Sequence, residues 1–266
     1  MVAACDQVGL ARRQVGVSIN LGAVHRELGN LAQARSCLQS ALHIAQSNDF
    51  PTTAIRGNLG AIYEEMGCFE TAGHEYTSVL EFADVTAPEK AFCLTSLSAV
   101  HRHAGRLSQA RTCAAEGLEL HRATGNRAGE AFALENLAAA DLDRGDLITA
   151  LTEAQAALAI AQDIANPRAE TATLTMLATV HLRTGDHPQA EHYYELGLQS
   201  ARTHRITYLE VAALLGLAAT HAATNHADQA ANLCTTALHT ATTAGFTHHA
   251  ATARTLLTKL SAQHAC

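Results

Sequence analysis

Tryptophan is absent from this chain of 266 residues, and Tyr and Phe together supply only the 4% that is aromatic. Apolar content nevertheless reaches 48%, carried by Ala and Leu, which excludes a core built on large rings and points to closely packed helices. Proline is also scarce. Pro51, Pro88 and Pro167 fall between helical stretches and Pro188 falls near the start of one, so no helix is interrupted. Strand-like alternation is missing, and no apolar run is long enough to span a membrane.

Lysine is nearly missing. Neither Lys90 nor Lys259 follows a glycine, which excludes a phosphate-binding loop, and no G-x-S-x-G or H-E-x-x-H segment is present. The net charge is −7 and the arginines are scattered between acids, so there is no concentrated basic face and direct binding of nucleic acid is not expected. Arginine in large excess over lysine, with abundant Ala, reads as translation of a GC-rich genome. The seven cysteines are odd in number and lack C-x-x-C spacing, and most read as small apolar core residues. Cys266 is the exception, a terminal thiol expected to be exposed. With no secretion or anchoring signal, a cytoplasmic protein is expected.

What the chain does contain is one pattern six times over. A Leu precedes a small residue; an aromatic, His or Asp, then a Gly or Asn, then an Ala follow at fixed offsets. The copies are Leu21, Gly22, His25, Gly29, Ala34; Leu59, Gly60, Tyr63, Gly67, Ala72; Leu97, Ser98, His101, Gly105, Ala110; Leu137, Ala138, Asp141, Gly145, Ala150; Leu177, Ala178, His181, Gly185, Ala190; and Leu217, Ala218, His221, Asn225, Ala230. Successive copies lie 38, 38, 40, 40 and 40 residues apart. A period of this length marks a solenoid whose units bury their apolar faces against their neighbours. Leu and the ring share the inner stripe of a first helix, the small residue admits a second helix, and the Gly or Asn lets the chain reverse. Gly22 and Gly60 stand in mid-helix, where Gly costs about 1 kcal/mol against Ala, so close packing is expected there.

This arrangement resembles the tetratricopeptide repeat family. The resemblance implies an all-α, right-handed superhelical solenoid of about six helical hairpins in a single domain. The repeats are expected near 13–50, 51–88, 89–126, 127–166, 167–206 and 207–246, followed by a capping helix over 247–263. The units exceed the family's usual length, and the aromatic position is often His. The long, Ala- and Arg-rich style is similar to the carboxy-terminal repeats of actinobacterial antibiotic-pathway transcription activators and of signal-transducing ATPases with numerous domains. Residues 1–12 read either as the tail of a second helix whose first helix is missing, in a fragment or shortened relative of a longer protein, or as a frayed helix end.

No catalytic residue, metal site or cofactor is expected. The histidines of the aromatic position are spread one per repeat and do not converge. His187, Glu191 and His192 have the wrong spacing for zinc, and Asp141, Asp143 and Asp146 lack the closing Glu of a calcium loop. Recognition is what remains, and the resemblance implies that it uses the concave face lined by first helices. The residue before each motif Leu, with those 3, 6 and 7 further on, points into that groove. Asn20, Asn58 and Asn136 are therefore expected to meet the backbone of a bound protein segment, with Arg26, Glu64 and Arg102 beside them. Glu27, Glu65, His103 and Asp143 extend the same polar stretch. Met176, Leu182 and Leu215 in the last two repeats are expected to form an open apolar surface. That surface suits an amphipathic helix, a second copy of the chain as a homodimer, or a small apolar ligand. Two functions follow: a non-catalytic scaffold that binds a protein segment, or the signal-sensing module of a transcriptional regulator.

Overall fold

The computed structural model describes residues 2–264, with side chains from 7 to 262. The described chain is thirteen α-helices: α1 (Val2–Glu27), α2 (Leu31–Ser47), α3 (Thr53–Glu65), α4 (Phe69–Leu80), α5 (Ala87–His103), α6 (Leu107–Ala123), α7 (Arg127–Arg144), α8 (Leu147–Asp163), α9 (Pro167–Thr184), α10 (His187–Thr203), α11 (Thr207–Ala223), α12 (Ala227–Ala244) and α13 (Thr247–His264). Odd- and even-numbered helices pair in sequence as six antiparallel hairpins, and α13 packs on the last of them. This is an all-α solenoid. Residues 2–12 continue into α1 without a break, because no proline interrupts them and Leu10, Ala11, Arg12 and Arg13 all favour helix. Cys266 lies outside the described residues.

Local chemistry sets the helix ends. Gly145 and Gly185 take left-handed backbone (φ 86° and 81°), their N–H groups returning to the carbonyls of Leu142 and Leu182. Asp146 and Asp186 follow immediately and accept hydrogen bonds from the backbone N–H of Thr149 and Gln189, starting the next helix. In the sixth hairpin Asn225 reaches φ 63°, the turn that glycine makes elsewhere.

Packing follows the repeated pattern with one departure. The motif residues Leu59, Leu97, Leu137, Leu177 and Leu217 are buried, as are all six motif alanines, but Leu21 is 45% exposed. In the later repeats this position packs toward the preceding hairpin; among the described residues nothing precedes α1. The mid-helix glycines meet the expected crowding. A Cβ on Gly60 would lie 2.5 Å from the Tyr76 ring, and one on Gly22 would lie 3.0 Å from Leu38 Cγ.

The superhelix then turns far enough for its two ends to meet. One continuous core cluster joins Leu31, Leu38, Leu59 and Ile62 of the first two hairpins to Leu214, Leu215, Phe246 and Ala250 of the last hairpin and α13. The hydroxyl of Thr247 donates to the Met66 carbonyl. Gly67, at φ 77°, approaches His248 so closely that a Cβ would sit 2.7 Å from the His248 Cβ. Phe69 stacks on His103 at 3.7 Å, and His248 meets both rings edge-on. The surface around Leu215 is accordingly not open: the first two hairpins fold back over it, and Leu215 is buried.

Candidate functional site

Closure of the solenoid encloses a cavity of about 400 Å³. Its wall comes almost wholly from first helices: Arg26 of α1; Glu64 and Glu65 of α3; Phe92, Ser96, Arg102 and His103 of α5; Phe132, Glu135 and Asn136 of α7; Arg168 and Met176 of α9; and Tyr208 of α11, with Tyr76 entering from α4. Arg26, Glu64, Arg102, Asn136 and Met176 of the expected groove are thus brought together. Asn20 and Leu182 are not on the wall: Asn20 lies on the outer face of α1, and Leu182 packs against the core beside Tyr194. Asn58 is off the wall too, its amide donating to the Ala54 carbonyl at 2.9 Å, and Leu215 belongs to the closing core.

The wall residues that the sequence reading passed over are Phe92, Phe132, Glu135, Arg168 and Tyr208. All but Glu135, which stands two residues before Leu137, continue the same helical stripe toward the N-terminus of each first helix. Phe92 and Phe132 stand five residues before their motif leucines, and Arg168 and Tyr208 stand nine before theirs. Stepping back by helical turns from the residue before the Leu reaches all four.

Charge inside the cavity is divided in two. Glu65 Oε1 accepts from Arg26 Nε and Nη2 at 3.0 and 2.7 Å and from Arg168 Nη2 at 3.0 Å, so one carboxylate holds two guanidiniums from the first and fifth hairpins. Arg102 donates to Asp143 at 3.2 Å. The wall arginines are therefore engaged, and among the described residues Glu64 and Glu135 make no ion pair. Glu64 accepts only the Tyr76 hydroxyl, at 3.0 Å. Both carboxyls open onto the cavity yet sit deep within the ring of helices. Burial, the largest cause, pushes each up to about 7, and like-charge repulsion adds to it, from Glu65 on Glu64 and from Glu64 on Glu135. The neighbouring rings form a ladder: Tyr76 meets Phe92 edge-on at 6.1 Å, and Phe92 stacks with Phe132 at 6.5 Å.

At the rim, burial presses the His103 imidazole down to about 3 and His249 down to about 4, so the closing contact is made by neutral rings. Among the described residues no three His, Cys, Asp or Glu side chains converge to hold a metal ion. None of the described helices is long and apolar enough to cross a membrane.

Comparison with known proteins agrees with this architecture. Two sequence profiles described as tetratricopeptide repeat match residues 129–203 and 19–47. No curated protein matches the chain in sequence. Among solved structures, a Rap protein complexed with competence and sporulation factor is similar over 93% of this chain and 86% of its own, with a TM-score of 0.69 at 14% identity. The Rap conjugation gene regulator of plasmid pLS20, in complex with the Phr* peptide, is similar over 92% and 73%, with a TM-score of 0.66 at 17% identity. The chain also resembles a signal transduction ATPase with numerous domains from Pyrococcus horikoshii, a protein with a tetratricopeptide repeat sensor. That likeness has a TM-score of 0.63 at 16% identity and covers 91% of this chain but only 37% of the ATPase. Repeat pattern, helical hairpins and both profiles converge: the chain carries tetratricopeptide repeats, matched in sequence at residues 19–47 and 129–203.

Proposed function

We propose that this protein is a non-catalytic receptor module that holds an extended peptide segment in its central cavity, with a basic side chain of that segment placed between Glu64 and Glu135. The observation that carries this reading is a pair of carboxyls without ion pairs inside an otherwise charge-matched cavity. A guanidinium or ammonium group supplies the missing charge, and the faces of Phe92 and Phe132 give it aromatic contact. Asn136 supports backbone recognition. Its amide N–H already donates to the Phe132 carbonyl at 2.9 Å, which leaves its side-chain oxygen to accept a peptide N–H. Two of the structural neighbours are described in complex with a factor or a peptide, which fits a shared mode of use for the fold.

The test is titration calorimetry with defined hexapeptide pools, each with one position fixed as Arg, Lys, norleucine or Glu. Pools with a basic residue are expected to bind. The double substitution of Glu64→Gln and Glu135→Gln is expected to remove the preference for Arg over norleucine without lowering the melting temperature. Binding without such a preference, or none by any pool, overturns the reading.

A second reading is favoured by the ATPase neighbour, whose repeats are described as a sensor. In it, occupancy of the cavity changes the closure between the Met66 turn and α13, and so signals to an effector of a transcriptional regulator. Ligand that leaves the solution dimensions unchanged in small-angle scattering counts against it.

A further inference from the structure

The exposed motif leucine of the first repeat is part of a longer feature. Along α1 and into its terminal turn, Leu10, Val17, Leu21, Val24 and Leu28 are 57%, 64%, 45%, 53% and 57% exposed. With Gln14 counted, they stand alternately four and three residues apart, the spacing of a coiled-coil seam. The opposite face of α1 is occupied: Val15 and Ile19 pack into the core, and Gly22 sits against Leu38. The seam is about 27 Å long and is unbroken helix for all but its last residue.

The flanking residues say which occupant fits. With Gln14, Leu21 and Leu28 as one row of the seam and Leu10, Val17 and Val24 as the other, the positions beside it are Arg13, Asn20 and Glu27, all exposed. Parallel pairing with a second copy sets Arg13 against Ser18 and Asn20 against His25, with no opposite charges in register. Antiparallel pairing sets Arg13 against the partner's Glu27 on both sides, and Asn20 against its own copy at the dyad. The apolar layers then become Leu10 with Leu28, Val17 with Leu21, and Gln14 with Val24, each occurring twice. Glu27 already lies 3.5 Å from Arg168 of its own chain through one oxygen, but it remains more than half exposed.

We propose that this chain forms a two-fold antiparallel dimer through the outer face of α1, with Leu21 at its centre and Arg13 of each copy paired with Glu27 of the other.

Sedimentation equilibrium of the full chain under reducing conditions tests this. Wild type is expected to dimerise. Leu21→Asp is expected to be monomeric with unchanged helicity, since that side chain is exposed within the protomer. Arg13→Glu sets like charges together twice and is expected to weaken the dimer by about tenfold or more. Adding Glu27→Arg restores opposite charges and is expected to return affinity to within about threefold of wild type. A wild-type monomer up to about 100 µM overturns the proposal and leaves the face to a different protein segment. So does a dimer insensitive to Leu21→Asp, or one that the double reversal fails to restore.

Discussion

Arg168 of the fifth hairpin donates from Nη2 to Glu65 Oε1 of the second at 3.0 Å, joining residues 103 apart in sequence. The same oxygen accepts from Arg26, so three first helices converge on one buried carboxylate. Strings of repeats make neighbour contacts by construction. This contact exists only because the solenoid returns to its own start.

The pair is therefore expected to govern how tightly the ring is closed. Arg168→Ala is expected to cost about 1 kcal/mol, since its guanidinium is partly solvated and Arg26 still holds Glu65. Glu65→Ala strands Arg26 and leaves Arg168 only its longer contact with Glu27, and is expected to cost about 2–3 kcal/mol. Both substitutions should enlarge the radius of gyration in small-angle scattering. Dimensions equal to wild type in both would assign closure to the Leu215 and Phe246 core alone.

Leu59 and Leu21 occupy the same place in the repeat, and their replacement should have different consequences. Leu59 is fully buried, and Leu59→Ala is expected to cost about 3 kcal/mol in urea unfolding. Leu21→Ala, at protein concentrations low enough to hold the chain monomeric, should fall below about 1 kcal/mol. Equal losses would mean that Leu21 is buried in solution.

Two glycines divide in the same manner. Gly60→Ala drives a methyl group into the Tyr76 ring at 2.5 Å and is expected to destabilise by about 1–3 kcal/mol. Gly16, in the middle of α1, has nothing within 4 Å of an added Cβ, so Gly16→Ala is expected to stabilise by about 1 kcal/mol. Thermal melts of both variants settle the contrast.

Glu64 and Glu135 carry a pH signature with a definite sign. Each ionises near 7 in the fold and near the usual carboxylate value when unfolded, so the folded chain holds protons that the unfolded chain releases. Their contribution to stability is therefore full below about pH 4.5 and is lost as pH rises through about 7. The double Gln variant should gain melting temperature relative to wild type at about pH 8 and show no gain at about pH 4. Affinity for a cationic peptide should run oppositely, strengthening as the carboxyls ionise through about 7. An affinity that is flat with pH would separate these groups from the ligand.

Much of the cavity wall was legible before any coordinates. Arg26, Glu64, Arg102, Asn136 and Met176 lie at offsets from a motif Leu that a helical period places on one face, and they do meet. Phe92, Phe132, Arg168 and Tyr208 obey the same period one and two turns earlier. The reading of Leu215 departs for a different reason. Its local sequence describes an apolar inner surface, and that is what it is, but the surface is covered by hairpins more than 150 residues away in sequence.

Helices, turns, register and repeat packing were determined by the sequence itself, because each depends on residues within one hairpin or its neighbour: a capping Asp after a turn Gly, a small residue facing an Ala, a Leu at a fixed offset. Closure and the enclosed cavity were decided only in the tertiary structure. They depend on the small rotation between successive hairpins summed over the whole array, and every interface contributes to that sum through the volumes of its side chains. No single repeat states the total.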